Sequence, residues 1–126
     1  MQSYLFTAAI LAVSVGLIHS ILGEVLIFSR MGDGTFVPAV GRPLLRERHV
    51  RILWATWHIV TIFGWALATI LLRLTWPGSE LALQSFVKNT VGIGMLISSL
   101  LVLYATKGMH PGWIGLLGVA GLCWLA

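Results

Sequence analysis

Charge is what this sequence has least of. Eight Lys and Arg and four Asp and Glu stand among 126 residues, a charged fraction of 10%. A soluble domain of this length carries about a quarter, so too few charges are present to wet the outside of a water-soluble globule. Disorder is excluded by the opposite excess: 58% of the residues are hydrophobic and the mean hydropathy is +0.95. Cysteine is nearly missing too. Cys123 alone cannot form an intrachain disulfide or hold an iron–sulfur cluster. No phosphate-cradling glycine loop, no HExxH motif and no paired catalytic carboxylates occur. Asp33, Glu47 and Glu80 lie in connections or at a span boundary, and Cys123 has no histidine at its depth. A self-contained catalyst is therefore not expected.

What the sequence does contain is long apolar stretches. They run over about 4–28, 50–74, 86–106 and 111–126. Between the first two lies a segment rich in helix breakers (Gly32, Asp33, Gly34, Pro38, Gly41, Pro43). Trp76-Pro77-Gly78 closes the second stretch, Lys107-Gly108 closes the third, and Pro111 suits the first turn of the fourth. The first three are long enough to cross about 30 Å of hydrocarbon, and the fourth is short. The first stretch reads as a span and not a cleavable signal, because it lacks a basic leader and carries Glu24. The expected fold is all-α: an integral membrane four-helix bundle, a single transmembrane domain over 1–126.

The net charge of +4 and isoelectric point near 10.0 read as orientation signals, not as a nucleic-acid surface. Arg30, Arg42, Arg46, Arg48 and Arg51 crowd the first connection and Lys107 lies in the third, whereas Arg73 and Lys88 sit at helix ends. The positive-inside rule puts the first and third connections in the cytoplasm and both termini outside. A bacterial inner membrane is the expected location. The basic stretch from Arg42 to Arg51 is suited to lie along the headgroups.

Polar residues inside apolar spans are costly, by about 2.5–3.5 kcal/mol for a central charge, so they point to function. They are His19 and Glu24 in the first span, His58 in the second, and Asn89, Ser98 and Ser99 in the third; His49 and His110 stand at helix starts. At a rise of about 1.5 Å per residue, His19 lies about 15 Å and His58 about 12 Å inside the cytoplasmic boundary. Ser98 and Ser99 fall at a similar level, which predicts one polar layer. Gly16, Ser20 and Gly23 make a small-residue surface near His19, and Glu24 shares a face with Ser20. Trp54, Thr61 and Trp65 lie near the His58 face, and Trp54 and Trp57 flank the imidazole.

Several chemistries follow from this layer. His19 and His58 as axial ligands would hold a haem b for electron transfer, with Trp54, Trp57, Ser98 and Ser99 lining the site and a quinone or membrane protein as redox partner. A first-row metal such as zinc, iron or copper is the second possibility, held by His19 and His58 or by Glu24, His49 and His110. An intramembrane Glu beside histidines also suits a small proton-coupled transporter, with Arg51 near enough to keep Glu24 ionised. Against all three stands a structural reading, in which these groups hydrogen-bond across helices and the chain is an accessory subunit. On that reading Glu24 pairs with Arg48 or Arg51 and His49 is solvated. Gly112, Gly115, Gly118 and Gly121 then form a packing surface for another helix, within the chain or in a homo-oligomer.

Overall fold

The computed structural model describes residues 2–31, 37–38 and 45–125. All secondary structure among them is helical. α1 spans Gln2–Leu22 and continues through a π-helical turn at Gly23–Ile27 and a 3-10 turn at Phe28–Arg30. α2 spans Glu47–Arg73, α3 Glu80–Ala105 and α4 Gly112–Leu125. Arg42 and most of the glycine- and proline-rich connection, with the expectation that it lies along a headgroup layer, fall outside the described residues.

Three helices are long and apolar enough to cross a membrane: the continuous helix Ser3–Arg30, Glu47–Arg73 and Glu80–Ala105. The expected fourth span does not reach that length. α4 has 14 residues, about 21 Å at the helical rise, against the roughly 30 Å required. Hydroxyls in these helices fold back on the preceding turn: Thr7 donates to the Ser3 carbonyl, Ser14 to Ile10, Thr69 to Trp65 and Thr90 to Phe86. Each is satisfied within its own helix and can face an apolar medium without a partner.

Helix ends follow local chemistry. Pro77 ends the α2 exit, and the Ser79 hydroxyl then accepts from the Ala82 amide at 3.2 Å with Glu80 in the first turn. That cap starts α3 six residues before the apolar run begins at Phe86. At its other end Lys107 and Gly108 adopt left-handed φ values of 52° and 77°. The Gly108 amide reaches back to the Leu103 carbonyl at 2.9 Å, the six-to-one bond of a Schellman motif.

Packing is serial. α1 packs on α2, α2 on α3 and α3 on α4, and among the described residues no seam of similar extent joins α1 to α3 or α4. The helices therefore form a row, not a closed bundle in which each helix flanks two others. The best-buried cluster lies where α1 ends, α2 begins and α3 ends: Phe28, Val37, Trp54, Ala55, Val102 and Ala105, with Trp113 and Leu116 of α4 against it. Arg51 is buried there, donating to Glu47 Oε1 at 2.7 Å and to the Ala105 carbonyl at 3.3 Å. A cation on the last carbonyls of α3 is favourably placed against that helix dipole. On α4, a Cβ added at Gly115, Gly118 or Gly121 would meet nothing within 4 Å. Among the described residues nothing packs against these three glycines, and at Gly112 an added Cβ would meet only His110; α4 instead lays Trp124 against Gly92 of α3.

Candidate functional site

The α1–α2 seam is built from donors on α2 and acceptors on α1. Trp57 Nε1 donates to the His19 carbonyl at 3.1 Å, Thr61 Oγ1 to Gly16 at 3.0 Å and Trp65 Nε1 to Val13 at 3.2 Å. The donors recur every four residues, the spacing that keeps them on one face of α2. Antiparallel to them, the acceptor carbonyls step back along α1 every three. Glycines make the approach possible. A Cβ at Gly23 would run into the Trp57 indole nitrogen, and one at Gly16 would come within 2.9 Å of Trp65 Nε1. The widened π turn that follows slows the rotation of the chain, so Phe28 stays on the side of α1 that holds Ser20 and Glu24. Its ring lies 5.8 Å from Trp57 and 6.2 Å from His58.

His58 is the centre of this seam. Ser20 Oγ lies 2.9 Å from His58 Nδ1 and 2.8 Å from Thr61 Oγ1. Glu24 Oε2 lies 3.4 Å from His58 Nε2 and accepts from Trp54 Nε1 at 3.0 Å. The Trp54 and His58 rings meet edge to face at 4.6 Å.

Proton positions in this chain are assigned by elimination from the network. A carbonyl only accepts, so Thr61 uses its single hydroxyl proton on Gly16. Thr61 Oγ1 must then accept from Ser20. Ser20 has no further proton, so it accepts from His58, and the imidazole carries hydrogen on Nδ1. In a neutral ring Nε2 then presents a lone pair toward the Glu24 carboxylate, and that contact is attractive only if one proton lies between them. The arrangement is a carboxylate 3.4 Å from an imidazole nitrogen that is buried without a hydrogen-bond partner among the described residues, with the other ring nitrogen tied through two hydroxyls to a backbone carbonyl.

The expected site residues divide between seams. His19, Glu24, Trp54, Trp57 and His58 do come together on α1 and α2. His19 stacks flat on Trp57, with centroids 4.3 Å apart and planes at 9°, and its Nε2 is buried without a hydrogen-bond partner among the described residues. His58 has Nδ1 on Ser20, and its Nε2 faces the Glu24 carboxylate at 3.4 Å with no hydrogen-bond partner among the described residues, so haem ligation through Nε2 would need Glu24 to move aside and would leave the ring where it is. Trp54 and Trp57, expected as cofactor walls, have their N–H groups on Glu24 and His19. Ser98 and Ser99 belong to another seam: Ser99 donates to the Trp113 carbonyl of α4 at 2.8 Å, and Ser98 Oγ is buried with no hydrogen-bond partner among the described residues. The residues expected in one layer thus lie on two helix seams.

Among the described residues, Glu24 makes the expected pair with neither Arg48 nor Arg51. Arg51 is held by Glu47, and Arg48 Nε faces His49 Nε2 at 3.4 Å. His49 and His110 meet across a different cleft, away from Glu24, and no group of three or more His, Cys, Asp or Glu that could hold a metal occurs among the described residues. Sequence reasoning missed Thr61 and Trp65 as donors to α1 carbonyls; the four-residue spacing of Trp57, Thr61 and Trp65 opposite Gly16 and Gly23 was the available signal. Comparison with family models, curated proteins and solved structures finds no match to this chain.

Proposed function

We propose that this is an integral membrane protein, with its basic connections on the cytoplasmic side, whose α1–α2 seam binds and releases a proton as part of a proton-coupled transport function. The observation that carries the reading is the ordered chain from Gly16 through Thr61 and Ser20 to His58 and Glu24. It leaves one position, between Nε2 and Oε2, where a proton decides between attraction and repulsion. Glu24 is partly exposed, with 42% of its side chain accessible, and lies toward the basic end of α1. Proton exchange would take place from that side. The far end of the chain stops at a carbonyl that has no proton to pass on, so the centre would hold a proton without leaking it across the membrane. Gain or loss of that proton would alter how Glu24 sits on α2, at the point where α1 departs from α-helical geometry.

Infrared difference spectra of the reconstituted protein between acidic and neutral buffer test this. A carboxylic acid band is expected that disappears in Glu24→Gln and moves in His58→Gln. A Glu24 band indifferent to His58 would end the proposal. So would a haem Soret band that collapses in both His19→Ala and His58→Ala, because iron ligation and the Ser20–His58–Glu24 chain cannot use the same ring nitrogens together.

A further inference from the structure

A second polar site lies outside the α1–α2 seam. A cleft of about 330 Å³ opens between the first turn of α2 and the α3–α4 turn, lined by Arg48, His49, Ile52, Thr106, Met109 and His110. Among the described residues its lining has no acidic side chain, and the neighbouring Glu47 is turned to Arg51 at 2.7 Å. The two histidines are arranged as donors. His110 Nδ1 accepts from the Gly112 amide at 3.1 Å, so in the neutral ring the proton is on Nε2. His49 Nε2 faces the Arg48 Nε–H at 3.4 Å, so its proton is on Nδ1. Arg48 keeps its terminal guanidinium N–H groups. Thr106 donates to the Val102 carbonyl at 2.7 Å and adds no donor of its own.

We infer that this cleft binds a phosphate group, either the headgroup phosphate of an anionic phospholipid or free inorganic phosphate. A fixed cation beside two imidazole N–H donors matches the charge and acceptor oxygens of a phosphate. A metal ion is disfavoured by the same groups. It would lie beside the Arg48 charge, and ligation through His110 Nε2 would break the hydrogen bond that starts α4. The lipid source rests on the membrane orientation proposed above, whereas binding of free phosphate does not, and neither depends on the His58–Glu24 centre.

The test uses the full chain in nanodiscs of phosphatidylcholine with and without phosphatidylglycerol. Retained lipid is read by native mass spectrometry, and the His49 and His110 ring nitrogens by ¹⁵N NMR. Removal of one basic group near an anionic surface costs about 1 kcal/mol, so Arg48→Gln is expected to lower phosphatidylglycerol retention about fivefold. Arg46→Gln, exposed and outside the cleft, is expected to leave it unchanged. His110→Asn, which keeps an acceptor for the Gly112 amide, is expected to weaken retention as well. In phosphatidylcholine discs, saturable shifts of both histidines with added inorganic phosphate would identify free phosphate as the source. The inference is overturned if neither probe binds, if Arg46→Gln and Arg48→Gln act equally, or if zinc(II) shifts both histidines and phosphate does not.

Discussion

Glu24 Oε2 and His58 Nε2 lie 3.4 Å apart across the α1–α2 seam, and the other His58 nitrogen is held by Ser20 at 2.9 Å. The same carboxylate oxygen accepts from Trp54, so Glu24 is tied to two positions one turn apart on α2. Removing either partner leaves the other facing a polar atom without its complement. A double-mutant cycle with Glu24→Gln and His58→Gln, read by unfolding in detergent, is expected to give a coupling of about 1 kcal/mol. Additive single effects would show that the pair is only a proximity. The Ser20→Ala variant is expected to weaken that coupling, because Ser20 fixes which nitrogen of His58 faces the carboxylate.

The approach of α2 to α1 depends on two missing side chains. Gly23→Ala would place a methyl group against the Trp57 indole nitrogen, and Gly16→Ala would crowd Trp65. Each is expected to destabilise by about 1–3 kcal/mol, the range for overpacking a filled contact. Gly64→Ala is the control: an added Cβ there meets nothing within 4 Å. Its expected effect is neutral or stabilising, by up to about 1 kcal/mol from helix propensity. A Gly64→Ala loss equal to that of Gly23→Ala would refute the argument from close approach.

Helix existence was legible because an apolar run bounded by Pro and Gly leaves few alternatives. Trp76-Pro77-Gly78 and Lys107-Gly108 mark real ends for that reason. The start of α3 was less legible, because Leu81 to Ser85 read as a mixed segment and only the Ser79 cap makes them helical. Depth arithmetic on two antiparallel helices brings His19 and His58 to one level and face arithmetic puts Glu24 with Ser20, but neither says that His58 meets the Ser20–Glu24 face while His19 stacks on Trp57. That arithmetic did not assign Ser98 and Ser99 to a seam, because depth says nothing about which neighbour a helix faces in an open row. It failed for Glu24 and Arg51. Charge proximity suggested a pair, but Glu47 lies one turn before Arg51 on the same helix and takes it first. The π turn at Gly23–Ile27 has no signal in the apolar pattern.

Arg51 links α2 to the end of α3. Arg51→Met would leave the Ala105 carbonyl without its side-chain donor and Glu47 without its cation. The expected cost is about 1–3 kcal/mol, the penalty for a buried group losing its hydrogen bond. Arg48→Gln, at an exposed position, is expected to change stability by no more than about 0.5 kcal/mol. Thermal unfolding of both variants in one detergent separates a structural arginine from a surface one, and equal losses would contradict the contacts described.

The turn between α3 and α4 carries backbone strain at one residue. Lys107 has φ of 52°, a region that costs a residue with a Cβ about 1 kcal/mol and glycine almost nothing. Its side chain is exposed, so the cost is not offset by buried contacts of the ammonium group. Lys107→Gly is therefore expected to raise stability by a few tenths of a kcal/mol up to about 1 kcal/mol, and Lys107→Asn by less. Lys107→Val, with branching at Cβ, is expected to lower it by more than either gains. A thermal series over the three variants checks the order Gly above Asn above Lys above Val. The opposite order for Gly and Lys would mean that the ammonium group stabilises the last carbonyls of α3 by more than the backbone strain costs.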